Sequence, residues 1–114
     1  MQFAIVVPGG DPILHHVFPS KQKAVQTVIS IAKSEPIVEK VILFGSATSM
    51  RCGPQSDIDV AVVADVSDDN FLKIAHRLYV EVPSEIDVIH LNTVRSELLK
   101  QEINKGVVIY QRPY

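Results

Sequence analysis

The sequence predicts one α/β domain, and three observations carry that prediction. The 114 residues are 46% hydrophobic and 21% charged, which suits a single domain burying well over half of its unfolded surface and leaves no room for a second. Three short runs, Val38 to Phe44, Ile58 to Ala64 and Glu85 to Leu91, read as strands, the third from its alternation of Ile86 and Val88 around Asp87. The segments between and around them carry apolar residues at helical spacing.

Taken in order, residues 1–19 begin with the β-branched run Phe3 to Val7, ended by Pro8-Gly9-Gly10, which reads as either an added edge strand or a loosely docked arm. His15 and His16 have no further ligands beside them and read as solvated loop residues rather than a metal site. Ser20 is placed to cap a helix to about Ser34, with Ala24, Val25, Val28, Ile29 and Ala32 on its apolar face and lysine and glutamine on a wet one. Glu35-Pro36 breaks that helix before the first strand. Gly45-Ser46 ends the strand, and Gly53-Pro54 marks a turn before the second. The spacing between these strands leaves their relative direction open. Ser67 or Asp68 starts a helix with Phe71, Ile74, Ala75 and Leu78 on one face, while His76 lies off that face in solvent. Asn92 or Thr93 is placed to cap a last helix to about Asn104, which Gly106 stops, and Val107 to Tyr110 forms a final short strand.

Composition narrows the function. A net charge of −2 gives no electrostatic reason to expect direct nucleic-acid binding. Cys52 is the only cysteine, which excludes an intrachain disulfide and a cysteine-rich zinc site and suits a reducing cytoplasm. The N-terminal apolar run is too short to span a bilayer and lacks preceding basic residues, so neither a membrane helix nor a signal peptide is expected.

The chemistry concentrates between Val41 and Ala64. Alternate residues of a strand share a face roughly 7 Å apart, so Asp57 and Asp59 project together while Ile58, Val60 and Val62 enter the core. One or two carboxylates plus substrate phosphates is the usual way a protein holds Mg²⁺. Gly45 lets backbone approach a ligand, and Ser46 with the N–H groups of a short helix over Ala47 to Met50 would receive phosphate oxygens. Asp87 must face water, a partner or a metal, because burying it unpaired would cost several kcal/mol. Each residue has a plainer reading: Asp57 as a Ser-Asp turn bonding local N–H groups, Ser46 as a turn former, and Asp87 as an exposed strand carboxylate. His90 falls on the face opposite Asp87 and is assigned no role.

Gly45-Ser46 followed by Ser56-Asp57-Ile58-Asp59 at the head of an apolar strand resembles the signature of the polymerase-β-type nucleotidyltransferases. The small size and the ending Ile103 to Tyr110 narrow the resemblance to the minimal nucleotidyltransferases, commonly encoded beside HEPN-domain proteins. The resemblance covers roughly residues 20 to 112. It implies a nucleotidyltransferase fold, a mixed sheet of three to five strands packed against helices, with the first two strands adjacent. It also implies that Asp57, Asp59 and Asp87 are the catalytic, metal-binding carboxylates of a two-metal Mg²⁺ site, with ions roughly 3.5–4 Å apart. Gly45, Ser46 and Ser56 become nucleotide-binding residues, the first two at the β- and γ-phosphates. The implied reaction is transfer of a nucleoside monophosphate, AMP from ATP, to a hydroxyl. The implied acceptor is a tyrosine of a HEPN-domain toxin, with this chain as its antitoxin. Many such proteins carry Arg after Gly-Ser and a second Gly beyond it, where this chain has Ala47 and Met50. Arg51 replaces the missing cation only if the turn points it inward. Two alternatives follow: a binding module that neutralises a partner by contact, and an antibiotic-type transferase acting on a small molecule. The latter would need a partner or a homo-oligomer to complete its acceptor pocket.

Overall fold

The apolar runs become four strands, β1 (Lys40–Phe44), β2 (Ile58–Val63), β3 (Ile86–His90) and β4 (Val107–Gln111), in the computed structural model, which describes residues 2–53 and 56–113. They form one mixed sheet in the order β3-β2-β1-β4. β1 runs antiparallel to β2 and to β4, whereas β2 and β3 are parallel. That resolves the direction left open by the spacing, and the parallel pair is joined by a helical crossover, α2 (Asp68–Glu81), as parallel neighbours require. Pro54 lies outside the described residues, so the expected Gly53-Pro54 turn is described only as far as Gly53.

Alternation along the strands divides the sheet into two unequal faces. Val41, Leu43, Ile58, Val60, Val62 and Ile86 join one large cluster with residues of α1 (Gln22–Ser34) and of α2. The apolar faces expected for both helices are buried there, Ala24 through Ala32 from α1 and Phe71 through Leu78 from α2, with Ile31 added. On the other face only Ile42, Phe44 and Ala61 are buried, against Ile103 of α3 (Glu97–Asn104). Helix α3 covers this face only in part, and the remainder stays open at the end where the sequence places its carboxylates.

Three expectations are corrected. Helix α1 starts at Gln22 after a 3₁₀ turn, Pro19–Lys21, and Ser20 makes no capping bond. Gln22 is fully buried rather than wet: its amide donates to the carbonyls of Ala4 (2.8 Å) and Val17 (3.1 Å) and accepts from Val6 N–H (2.8 Å). This set of bonds ties down residues 2–6, which pair with no strand of the sheet. Such satisfaction is what makes a buried amide tolerable. Finally, Asn92 and Thr93 do not cap the last helix. Asn92 Oδ1 accepts from Ala64 N–H (3.0 Å) and the Thr93 hydroxyl donates to the His90 carbonyl (3.0 Å). With both side chains committed to the ends of β2 and β3, Ser96 takes the cap, accepting from Leu99 N–H at 3.2 Å.

Candidate active site

Strand register brings the separated carboxylates together. Phe44 lies opposite Asp59 across the antiparallel pair, and Asp59 lies beside Asp87 across the parallel pair. Directly after Phe44 comes Gly45, with φ of +79°, a conformation that favours glycine. A side chain there would also collide with the site, because its Cβ would stand 2.6 Å from Asp59 Oδ2. The backbone at Gly45 and the carboxylate of Asp59 are therefore in immediate contact. Asp57, exposed just ahead of β2, is on the same side, and its charge is felt at Asp59.

Asp59 is the electrostatic centre of this group. Its carboxyl is held above the ordinary value of 3.8, first by burial, next by the charge and hydrogen bonding of Asp87, and last by the charge of Asp57. Burial and neighbouring negative charge raise the cost of ionising Asp59, and a hard cation beside it would remove that cost. Among the described residues no three His, Cys, Asp or Glu side chains converge closely enough to hold a metal ion by themselves. The all-oxygen donor set nevertheless fits Mg²⁺, which takes one or two carboxylates and completes its shell with water and phosphate oxygens. Asp59 and Asp87 are the two best placed to hold it.

On the other side of the Gly45 turn lies a cleft of about 510 Å³ lined by Gly45, Ser46, Thr48, Ser49, Arg51, Glu102 and Lys105. The expected short helix is a single 3₁₀ turn, Gly45–Thr48. Arg51, exposed, is among the residues that line the cleft. Ser56 is placed differently from Ser46: its hydroxyl accepts from Gly53 N–H at 2.9 Å, so it closes the loop before β2, and it does not line the cleft. Sequence reasoning passed over Lys105. Its signal was Gly106, whose Cβ would come 2.4 Å from the Leu43 carbonyl, so only glycine lets β4 start this close to β1. With Leu43 opposite Val107, the residue before Gly106 is delivered beside the Gly45 turn.

His90, given no role, is buried on the core face. Its Nε2 donates to the Ala64 carbonyl (2.8 Å), its Nδ1 is 2.9 Å from Asp68, and its ring stacks on Phe71 at 4.2 Å. It anchors β3 to the start of α2. The rings of His15 and His16 lie 3.9 Å apart, tilted 40° to each other, and neither lines the cleft. A larger groove of about 660 Å³ runs between α1 and β4. Its acidic residues are already engaged, Asp11 with Ile13 N–H and Glu35 with Arg77, which leaves the carboxylate group on the open face as the chemical centre.

A glycine turn against a strand carboxylate, with a second carboxylate on the parallel neighbour, sets hard-oxygen donors beside an approachable backbone, and sequence comparison supplies the family. The family model for polymerase beta nucleotidyltransferases matches residues 26–114, and this chain belongs to that family; it is a nucleotidyltransferase. No curated protein matches it in sequence. Among solved structures, a toxin–antitoxin complex with AMP-PNP superposes with a TM-score of 0.64 at 24% identity, covering 77% of this chain and 73% of that one. The MntA-HepT toxin–antitoxin structure gives 0.58 at 22% identity, covering 78% and 71%. The complex of the tri-AMPylated Shewanella oneidensis HEPN toxin with its MNT antitoxin gives 0.59 at 24% identity, covering 81% and 73%. These likenesses establish a shared fold. Among the described residues no helix is long and apolar enough to cross a membrane.

Proposed function

We propose that this chain is an antitoxin that transfers AMP from ATP, with Mg²⁺, to a tyrosine hydroxyl of a HEPN-domain toxin in the cytoplasm. The observation that carries the reading is the contact of Gly45 with Asp59 beside Asp87, because it sets a phosphate-approachable backbone against paired hard-oxygen ligands. Nucleotidyl transfer asks mainly for a held triphosphate, neutralised charge and an aligned nucleophile. Asp59 and Asp87 would hold the ion, and Asp57, the third carboxylate of the reading, would join them once the metal draws it in. Mg²⁺, when bound, offsets the charge of the departing pyrophosphate and makes the acceptor hydroxyl easier to deprotonate. Gly45 and Ser46 hold the β- and γ-phosphates, and Ser56 shapes the loop that presents Asp57. The acceptor oxygen attacks the α-phosphorus, the bond to the β-phosphate oxygen breaks, and pyrophosphate leaves with that electron pair. Asp87 favours loss of the acceptor's proton.

The position of Asp87 supports a macromolecular acceptor. It is exposed on β3, an edge strand of the sheet, so a tyrosine on another protein can reach it from solvent. One further observation favours a different reading: Ala47, where many such proteins carry Arg, is fully buried in the main core, as a binding module that had lost transfer would allow. The two readings separate on incubation with α-labelled ATP, Mg²⁺ and the HEPN-domain partner. The enzyme labels the partner and Asp87→Asn does not. A wild type that silences the partner without labelling it, matched by Asp87→Asn, would leave only the binding module.

A further inference from the structure

We infer that Arg51 and Lys105 together form the cationic seat for the triphosphate tail of the nucleotide, replacing the arginine that position 47 cannot supply. This rests on the nucleotidyltransferase reading of the neighbouring carboxylates. Ala47 is fully buried in the main core, and its carbonyl accepts from Phe18 N–H at 2.8 Å. A guanidinium at 47 would have to leave that packing and shed its hydration to stay. The compensating charges come from two other elements. Arg51 follows the 3₁₀ turn, and Lys105 ends α3, brought alongside by the pairing of Leu43 with Val107.

The hydroxyls of the cleft cannot do this work alone. Thr48 donates to the Gly45 carbonyl (3.0 Å), and Ser49 donates to the Ser46 carbonyl (3.2 Å) while accepting from Arg51 N–H (3.2 Å). Those bonds stiffen the turn and use up both hydroxyl hydrogens. A polyanion in the cleft is therefore met by Ser46, backbone and the two cations. Glu102 opposes it: its carboxylate lies 3.5 Å from Lys105 Nζ, with both side chains more than half exposed at 63% and 75%. An exposed pair of that kind is weak and readily exchanged for a phosphate partner. The cleft volume, about 510 Å³, falls within the range of small-ligand pockets. Gly45 touches Asp59 and also lines the cleft with Arg51 and Lys105, so a nucleotide laid over this turn brings its α-phosphate toward the carboxylates and its β- and γ-phosphates toward the two cations.

Calorimetric titration with Mg²⁺ and ATP, AMP or inorganic tripolyphosphate tests this. Arg51→Ala and Lys105→Ala should each weaken ATP and tripolyphosphate by about tenfold, the usual size of one charged hydrogen bond, while AMP affinity and melting temperature stay as in the wild type. Glu102→Gln should tighten ATP by about twofold, by the size of an exposed pair. ATP affinity unchanged in both alanine variants overturns the inference while the nucleotidyltransferase reading stands. Equal loss of AMP and ATP overturns it as well, since the seat would then not be selective for the tail. A wild type that binds no nucleotide overturns both.

Discussion

The two faces of the sheet are built for different ends. The face under α1 and α2 is closed by a continuous cluster that includes Leu43, Val60 and Leu78. The face under α3 buries only Ile42, Phe44, Ala61 and Ile103, and leaves Asp57 and Asp87 exposed beside a partly covered Asp59. A fully covered second face would force three carboxylates into low dielectric, at a cost of several kcal/mol for each unpaired charge. Leaving it half open keeps the carboxylates affordable and accessible. One face supplies the stability that the other gives up.

Truncation of one fully buried residue on each face should show the largest effect. Leu43 and Ile103 are both at 0% exposure, yet Leu43 is enclosed by two helices and Ile103 belongs to a short helix that can settle back onto the sheet. Large-to-small substitutions cost more where the site cannot collapse. Leu43→Ala should lose about 4 kcal/mol and Ile103→Ala about 2 kcal/mol in denaturant titrations. Equal losses would show that α3 is as tightly packed as the opposite layer.

The next effect belongs to the open face and to chemistry rather than stability. Asp59→Asn should reduce transfer by at least on the order of 100-fold, equivalent to about 2.7 kcal/mol of barrier, in the labelling assay. Gly45→Ala should do likewise, because its methyl group would enter the space of Asp59 Oδ2 and its positive φ would be strained. Asp87→Asn should cut transfer while leaving ATP binding largely intact, the mark of an interaction that matters mainly in the transition state. If Gly45→Ala transfers normally, close backbone approach at that turn is not needed.

Asp59 also ties the open face to pH. Its carboxyl is held above 3.8, chiefly by burial, so the folded protein binds this proton more tightly than the unfolded chain does. From 3.8 upward to the raised value stability falls as pH rises, and above that value the penalty is complete. With chelator present, Asp59→Asn should be more stable than wild type at neutral pH, by about 1 kcal/mol or less because the group is partly exposed. The gain should shrink near pH 4, about the ordinary carboxylate value, and Mg²⁺ should erase it at neutral pH. A loss of stability at neutral pH without metal would mean that Asp59 is held by favourable contacts instead.

How much of this was legible depended on whether the signal was local. The strands and the apolar faces of α1 and α2 follow from periodicity, and Gly45, Ser46, Asp57 and Asp59 stand in one readable stretch. Asp87 could be read as well, since a carboxylate between two core residues asks for a reason. Lys105 could not, because its place in the cleft depends on the register of β4 against β1, a long-range pairing with no local trace beyond Gly106. Gln22 and His90 escaped for the same reason: their partners, Ala4, Val6 and Asp68, lie far along the chain. The start of α3 was misread because Asn92 and Thr93 have ordinary capping chemistry that tertiary partners claim first.

The smallest expected effect gives the finest comparison of the faces, because it asks the same chemistry of a helix on each. Ser67 caps α2 by accepting from Asn70 N–H at 3.3 Å, and Ser96 caps α3 by accepting from Leu99 N–H at 3.2 Å. Replacing such a cap by Ala usually costs about 1 kcal/mol. Helix α2 buries Phe71, Ile74, Ala75 and Leu78 in the main cluster, whereas α3 buries Ile103 alone. The end of α2 is therefore coupled to global unfolding, and Ser67→Ala should lower overall stability by about 1 kcal/mol. The end of α3 can open by itself, in the manner of local unfolding units. Ser96→Ala should then change global stability by less than about 0.5 kcal/mol while speeding amide exchange at Leu99 and Lys100 above that of the wild type. If both variants lower the melting temperature alike and α3 exchanges no faster, the two layers unfold as one body, and the open face owes its accessibility to shape alone rather than to a loosely held helix.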